Sequence, residues 1–195
     1  MGSSAALVVP LKSFANAKGR LASILDPEQR ERLSRECAER VVGAAGDVRV
    51  VIVSDQGTDV SEWASFRGLT CIAQVSPGLN GAAHDGVAWA RDNGFTTVAI
   101  AHSDIPLADN VSQFIEDDSV VIVPDASNDG TNVLVLPTAA DFTFHYGSGS
   151  FKKHVDEAIR RGFAPRIALS DEWSHDLDNP DDLSHPRIKE LFPWL

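Results

Sequence analysis

Short runs of β-branched residues alternate with longer segments of helical periodicity along almost the whole chain. Two of these runs, Val50-Val51-Ile52-Val53 and Val120-Val121-Ile122-Val123, are continuously apolar, which is typical of strands buried on both faces. The runs predict strands over residues 6–10, 48–54, 70–74, 97–101, 120–124, 133–136 and 166–169.

Helical segments lie between most of these strands. Asp26-Pro27-Glu28-Gln29 has the N-cap, the first-turn proline and the capping-box glutamine of a helix start, and it predicts a helix that runs to about residue 45 and is closed by Gly46. Further helices are predicted over residues 79–92, 109–116, 150–161 and 180–192. Strands that alternate with helices predict an α/β fold, with one domain over residues 1–195 and a mostly parallel sheet. In such sheets, ligands bind beyond the carboxyl ends of the strands.

The charge composition indicates which kinds of molecule the protein is expected not to bind. Lys and Arg number 17 against 28 Asp and Glu, and the resulting net charge of −11 argues against nucleic acid or an anionic membrane as the main partner. No apolar run approaches the ~20 residues of a membrane span, and the first residues lack the features of a secretory signal. Cys37 and Cys71 have neither a C-x-x-C nor a zinc spacing. We therefore expect a reduced, cytoplasmic enzyme.

Three cations follow the first predicted strand in a chain that has few of them. Lys12, Lys18 and Arg20 lie within nine positions of one another in a loop. Cations in a loop at the end of a strand suit the triphosphate of a nucleotide, and a merely solvated loop is the alternative.

Carboxylates follow a buried strand and recur near the end of the sequence. Asp104 precedes a proline turn, where it either ligates Mg²⁺ or caps the turn. Asp176 and Asp178 flank Leu177, so an extended backbone places both carboxylates on one face. Because two such charges repel unless a cation lies between them, we predict a magnesium site made of Asp104, Asp176 and Asp178.

Other polar segments are candidate substrate loops. Residues 125–132, which include Thr131, join two predicted strands, and Gly147 and Ser150 lie at the start of a predicted helix, whose N–H groups favour an anion. Ordinary turn chemistry is the alternative explanation for both loops. Asn80 opens another helix, where its side chain either caps the helix or reads the edge of a nucleobase.

Taken in order, these motifs resemble the 2-phospho-L-lactate and phosphoenolpyruvate guanylyltransferases of coenzyme F-420 biosynthesis, over nearly the whole chain. That family lies within the wider nucleotidyltransferase fold, which includes the molybdenum-cofactor guanylyltransferases. The resemblance rests on Lys12 with Ala17-Lys18-Gly19-Arg20-Leu21, Gly78-Leu79-Asn80, Ser103-Asp104-Ile105-Pro106, Pro124-Asp125 with Gly130-Thr131-Asn132, Tyr146-Gly147-x-x-Ser150-Phe151 with His154, and Asp176-Leu177-Asp178-Asn179-Pro180-x-Asp182-Leu183. It implies a three-layer, nucleotide-diphospho-sugar-transferase-like (Rossmann-like) fold.

The resemblance also implies an activity. A guanylyl group is transferred from GTP to 2-phospho-L-lactate, phosphoenolpyruvate or 3-phosphoglycerate, in a reaction that depends on Mg²⁺ and releases pyrophosphate. The roles it implies are magnesium binding by Asp104, Asp176 and Asp178, binding of the acid by Thr131, Gly147 and Ser150, and contact with the nucleotide phosphates by Lys12 and Lys18. From its place in the same loop, we expect Arg20 to help stabilise the leaving pyrophosphate. The sequence departs from the family pattern at Gly19, Ala126 and Asn179. Ala126 stands where an arginine is common, so the identity of the acid stays open.

Other activities fit the sequence less well. One is a related nucleotidyltransferase acting on a molybdopterin or a sugar phosphate, although such enzymes carry a glycine-rich L-x-x-G-x-S-x-R loop that is missing here. A non-catalytic nucleotide-binding module and a metal-dependent phosphohydrolase are the others. His102 and His175 flank the acidic residues without a zinc spacing, and G-x-G-x-x-G and Walker A motifs are lacking. Since the product of guanylyl transfer is a reactive mixed diester, we expect handover to the next transferase of the pathway; a homodimer is compatible with the sequence.

Overall fold

The computed structural model describes residues 4–55 and 58–195. Its strands are β1 (Ala5–Leu11), β2 (Arg49–Ser54), β3 (Thr70–Ala73), β4 (Thr97–Ala101), β5 (Val121–Pro124), β6 (Thr131–Pro137) and β7 (Arg166–Ile167). They form a seven-stranded sheet in the order β3-β2-β1-β4-β6-β5-β7. Only β6 runs against its neighbours among these strands, so the predicted mostly parallel sheet is confirmed.

Helices connect most of the strands. They are α1 (Pro27–Gly43), α2 (Thr58–Phe66), α3 (Gly78–Asp92), α4 (Ser150–Arg160), α5 (Asp171–Ser174) and α6 (Pro186–Leu191), with 3₁₀ turns at Phe14–Asn16, Gly19–Leu21, Val111–Phe114 and Pro180–Ser184. The predicted start of α1 is confirmed, because the Gln29 amide donates to Asp26 Oδ1 at 2.8 Å and the Asp26 amide donates to Gln29 Oε1 at 3.0 Å. In the described part of the chain, every helix is too short or too polar to cross a membrane.

Helices cover both faces of the sheet, which gives three layers. Leu7 and Val9 of β1 belong to a core that also holds Val41 of α1. Val8, one residue along the strand, belongs to the core on the opposite face. Gly86 lets α3 approach that face, since a Cβ atom at this position would lie 2.3 Å from a methyl carbon of Val8.

The structure departs from the predicted elements chiefly in its helices. The interval between β2 and β3 contains α2, which the sequence analysis did not predict. Only Val111–Phe114 of the predicted helix over residues 109–116 is helical, as a 3₁₀ turn, because Ile115 is already extended. The predicted helix over residues 180–192 divides at His185, which is extended because it precedes Pro186.

The segment after β7 packs against the start of the fold. Leu177, Ile188 and Phe192 are buried in a third apolar cluster together with Leu33 and Cys37 of α1. This packing buries the side chain of Leu177 and fixes the backbone of the acidic segment around it.

Candidate active site

A cleft of about 330 Å³ opens at the carboxyl edge of the sheet, beside the ends of β1 and β4. In the sheet, β2 and β3 lie on one side of β1, whereas β4, β6, β5 and β7 lie on its other side. The strand order therefore reverses direction between β1 and β4, and the cleft lies at this switch point. Its lining includes Lys12, Lys18, Gln74, His102, Asp104 and Asp178. The structure therefore gathers residues from both ends of the sequence at the place where ligands bind in such sheets.

Lys18 is a buried cation held by the acidic residues. Its backbone has a left-handed φ of 55°, and its side chain is only 5% exposed. The ammonium donates to Asp104 Oδ2 at 2.9 Å and to the carbonyl oxygen of Leu177 at 2.6 Å, and it lies 3.8 Å from Asp178 Oδ1. Burial is the largest influence and disfavours the ammonium charge, but the charge of Asp104, its hydrogen bond and the charge of Asp178 together outweigh burial and raise the pKa of Lys18 above its usual value.

The two distant acidic segments meet, as the sequence analysis predicts. The Leu177 amide donates to the carbonyl oxygen of Asp104 at 3.1 Å, which sets the acidic segment beside the end of β4. Burial also works against the charge of Asp104, yet Lys18 holds the pKa of this carboxyl below its usual value. Burial, followed by the charges of Asp104 and Asp178, raises the pKa of Asp176.

The chemistry of these carboxylates fits a hard cation. Asp104 Oδ1 is shielded from solvent and has no hydrogen-bond partner, although the other oxygen of this carboxylate is paired with Lys18. Oxygen ligands of this kind are those that Mg²⁺ prefers. In the described residues, however, no three His, Cys, Asp or Glu side chains are grouped closely enough to hold a metal ion, and the Lys18 ammonium is the cation between Asp104 and Asp178.

The other predicted phosphate ligands are more open. Lys12 is exposed and lines the cleft. The Arg20 side chain is 72% exposed and donates to Asp178 Oδ2 at 3.1 Å. The structure thus places two of the three predicted cations where an anion can reach them, and uses Lys18 to neutralise carboxylates.

The predicted acid-binding loops lie next to one another. The Gly149 amide donates to Asp129 Oδ2 at 3.0 Å, and the Phe151 amide donates to the carbonyl oxygen of Asp129 at 2.9 Å. These bonds join the loop after β5 to the start of α4, and so bring Gly147 and Ser150 near the segment that carries Thr131. None of these three residues is among the described residues that line the cleft.

A buried histidine orients Thr131. His154 Nε2 accepts a hydrogen bond from the His145 amide at 2.9 Å, so the neutral ring carries its proton on Nδ1, 3.0 Å from the hydroxyl oxygen of Thr131. Burial first, then His145 and His102, lower the pKa of His154 to about 4. The ring is therefore neutral near pH 7, and the hydroxyl hydrogen of Thr131 remains available to another acceptor.

Asn80 does not cap α3, so that alternative is wrong. The N-cap position is Pro77, and Asn80 Oδ1 instead accepts a hydrogen bond from the Tyr146 amide at 2.7 Å. Tyr146 in turn packs against His102, with 5.5 Å between the ring centroids. Asn80 thus connects α3 to the loop that precedes α4, and its contact with a nucleobase stays a prediction.

The sequence analysis missed part of the cleft wall. Gln74, after β3, lines the cleft beside the predicted residues, and so does Gly78, which the sequence analysis quotes in a motif without giving it a role. The position of Gln74 directly after a predicted strand could have indicated its place in the cleft, because ligands bind beyond the carboxyl end of β3 as much as beyond those of β1 and β4.

Solved structures define the class of the fold. A protein from Desulfovibrio desulfuricans assigned to the nucleotide-diphospho-sugar transferases matches with a TM-score of 0.79 at 17% identity, over 93% of this chain and 85% of that one. A nucleotidyl transferase from Methanothermobacter thermautotrophicus matches with a TM-score of 0.68 at 15% identity, over 99% of both chains. The architecture is therefore that of the nucleotide-diphospho-sugar transferases.

Sequence comparison gives the family. The model for the family described as "Guanylyl transferase CofC like" matches residues 5–188, and the chain belongs to this family. It is 36% identical to the phosphoenolpyruvate guanylyltransferase of Rubrobacter xylanophilus, over 91% of this chain and 90% of the relative. It is 34% identical to the 2-phospho-L-lactate guanylyltransferase of Methanothermobacter thermautotrophicus, over 90% of this chain and 81% of the relative.

Proposed function

We propose that this guanylyltransferase couples GTP to a small phospho-acid in coenzyme F-420 biosynthesis and releases pyrophosphate. The acid is phosphoenolpyruvate, 2-phospho-L-lactate or 3-phosphoglycerate. The observation that carries the proposal is the meeting of Lys18, Asp104 and Asp178 in a cleft at the switch point of the sheet. The names of the two relatives, one acting on phosphoenolpyruvate and one on 2-phospho-L-lactate, support the class of acceptor.

The reaction needs alignment and charge neutralisation. A phosphate oxygen of the acid forms a bond to the α-phosphorus of GTP, and the bond from that phosphorus to pyrophosphate breaks. A phosphate is already anionic at neutral pH, so no general base is required. Lys12 and Arg20 are open to the leaving pyrophosphate, and Lys18 contributes its charge from the wall of the cleft.

We also propose that Asp104, Asp176 and Asp178 hold Mg²⁺. The unpaired Oδ1 of Asp104 and the raised pKa of Asp176 support this, because a cation relieves both the unmet hydrogen-bonding capacity and the repulsion. When bound, Mg²⁺ would offset the repulsion between the attacking phosphate and the α-phosphate.

The acid is proposed to bind through Thr131, Gly147 and Ser150. Thr131 has a hydroxyl hydrogen to donate, because His154 satisfies its oxygen. Ser150 is buried at the first position of α4, where the positive end of the helix dipole favours an anion, while the amides of Ser150 and Phe151 already donate to the carbonyl oxygens of Gly147 and Asp129.

An acceptor panel tests the proposed function. The purified chain is given GTP, CTP or ATP with each of the three acids, with Mg²⁺ or with EDTA, and pyrophosphate and product mass are measured. We expect a guanylylated acid with GTP and Mg²⁺ only. Binding of GTP without turnover would indicate a non-catalytic module, and release of phosphate without an acceptor would indicate a hydrolase. Turnover of a sugar phosphate or a molybdopterin would move the chain to another acceptor class.

Replacing Ser150 with Ala is expected to raise the KM for the acid about tenfold and to leave the KM for GTP within about twofold. The reason is the loss of one hydrogen bond to a charged group. Steady-state kinetics with each substrate varied in turn measures both constants. Ser148→Ala, an exposed serine of the same loop, is the matched control. An equal rise in both KM values would contradict a dedicated role in acid binding.

A further inference from the structure

A second cleft, of about 340 Å³, adjoins the candidate active site. It lies at the ends of β1, β2 and β3, where Leu11 is paired with Ser54 and Ser54 with Ala73. The residues that follow these three, Lys12, Asp55 and Gln74, therefore stand side by side along the edge of the sheet, and all of them line the second cleft. Lys12, Gln74 and Gly78 line both clefts, so the two are continuous.

One wall of this second cleft has a fixed backbone. Asp85 Oδ2 accepts hydrogen bonds from the amides of Val75 at 2.7 Å and Ser76 at 3.0 Å. Gln74 Nε2 donates to the carbonyl oxygen of Gly78 at 2.7 Å, which ties the two ends of the turn together. The turn is thus held in place without any ligand.

That fixed turn presents an apolar side chain to solvent. The Val75 residue is 87% exposed and lines the second cleft. An exposed valine on a held backbone offers a flat ligand an apolar contact with little loss of conformational entropy. Beside it, the Asp55 carboxylate is exposed and supplies two hydrogen-bond acceptors.

We propose that the second cleft binds the guanine base of GTP, with Val75 against the face of the base and Asp55 accepting hydrogen bonds from its N1–H and N2–H groups. The proposal rests on the proposed function, which places the phosphates of the same nucleotide in the adjoining cleft. It makes Asp55 the residue that selects the base.

The donor and acceptor pattern of the bases explains this selection. Guanine carries two adjacent donors, N1–H and N2–H₂, which match the two oxygens of a carboxylate. Adenine presents the lone pair of N1 at the corresponding place, and that lone pair repels the carboxylate. Cytosine likewise presents the lone pair of N3. A site built on an acceptor pair therefore favours guanine, and the charge of the carboxylate strengthens each bond.

The position of Asn80 agrees with this assignment. The side-chain oxygen of Asn80 accepts a hydrogen bond from the Tyr146 amide. Asn80 is not among the described residues that line the two clefts. Reading of the base therefore falls to Asp55 in this proposal.

The test compares GTP, ITP and ATP on the full chain and on Asp55→Asn, with a saturating phospho-acid. ITP retains N1–H but lacks the N2 amino group, so it isolates one of the two bonds. We expect the wild-type chain to prefer GTP over ITP by about tenfold or more, since a bond to a charged acceptor is lost. In Asp55→Asn, the KM for GTP should rise about tenfold with kcat nearly unchanged, and the preference over ITP should fall towards one.

Two controls keep the result specific. Asp47→Asn changes an exposed aspartate just before β2, at the opposite end of that strand, and should leave all three nucleotides unaffected. Val75→Ser should raise the KM for the three nucleotides to a similar extent, because a contact with the face of a base does not distinguish bases.

The proposal is overturned if Asp55→Asn keeps the wild-type preference for GTP over ITP. Failure of the proposed function is a separate outcome, in which the wild-type chain transfers no guanylyl group to any acid. In that case calorimetric Kd values for GTP and ITP, on the wild-type chain and Asp55→Asn, still decide the role of Asp55.

Discussion

Asp104→Ala is expected to lower pyrophosphate release from GTP and the phospho-acid by at least about a thousandfold. The substitution removes the carboxylate that pairs with Lys18 and that we propose to hold Mg²⁺, so the charge pattern of the cleft is lost at its centre. Each group that stabilises charge in a transition state contributes a factor of about 10²–10³ to kcat. Asp104 is proposed to position two such groups, the Lys18 ammonium and Mg²⁺, so its loss should cost at least the larger of these factors. The measurement is a coupled pyrophosphate assay at saturating substrates.

The same variant loses stability, and this must be separated from the loss of activity. Removing one partner of a buried ion pair costs about 3–5 kcal/mol, and we expect about 2–3 kcal/mol because Asp104 is 24% exposed and Lys18 keeps its bond to the Leu177 carbonyl oxygen. Asp104→Asn, which keeps the shape and a hydrogen-bond acceptor, is the matched control and should fold more stably while remaining inactive. Near-normal turnover in either variant would contradict the proposed role of Asp104.

Lys18→Met should have the second largest effect, a loss of about a hundredfold or more in kcat. The substitution removes the positive charge that pairs with Asp104 and Asp178 and that we propose to act on the nucleotide phosphates, and it leaves Mg²⁺ alone to offset the repulsion among the three carboxylates. Methionine approximates the length and volume of the apolar part of lysine, which keeps the effect electrostatic. Lys12→Met, which removes an exposed lysine of the same cleft, is the comparison and should leave the stability of the chain unchanged.

The pH dependence of unfolding identifies the cause of the Lys18 effect. Lys18 has a raised pKa, so its stabilising contribution is complete below its usual pKa of ~10.4 and is lost at higher pH. Asp104 has a lowered pKa, so its contribution is complete above its usual pKa of ~3.9 and is lost as the pH falls further. The difference in unfolding free energy between the wild-type chain and Lys18→Met should therefore be largest between about pH 5 and pH 9. A difference that does not change with pH would contradict the electrostatic explanation.

The sequence predicts the layered fold because its signals are local. The continuously apolar runs that become β2 and β5 are long enough to stand out, and Asp26-Pro27-Glu28-Gln29 marks the start of α1 without reference to any distant residue. The antiparallel orientation of β6 was also within reach, because the connection from β5 is too short for a helical crossover.

Elements that depend on tertiary contacts could not be predicted as well. Val60 and Trp63 have the spacing of a helical face, but α2 has only nine residues, and its apolar face is recognisable chiefly from the core that it covers. The division of the last predicted helix was signalled by Pro186 and overlooked. These differences concern the number and the ends of helices, and they do not change which residues lie at the candidate active site.

The sequence analysis names four of the residues that line the cleft, Lys12, Lys18, Asp104 and Asp178, but it does not predict how they pair. The carboxyl-edge rule gives Lys12 and Asp104, and the repulsion argument gives Asp176 and Asp178. The pairing of Lys18 with Asp104 depends on the left-handed backbone at Lys18 and on the approach of Leu177, and neither is encoded in a local pattern. A cation in a loop therefore reads as a phosphate ligand until its neighbours in space are known.

The bond from Lys18 to the Leu177 carbonyl oxygen spans 159 positions of sequence. During synthesis, the first strand and its lysine leave the ribosome long before the acidic segment does. A nascent chain can therefore build most of its sheet while its charged centre is still incomplete. The charge arrangement around Lys18 is therefore complete only after the segment that contains Leu177 has been made and has packed beside the end of β4.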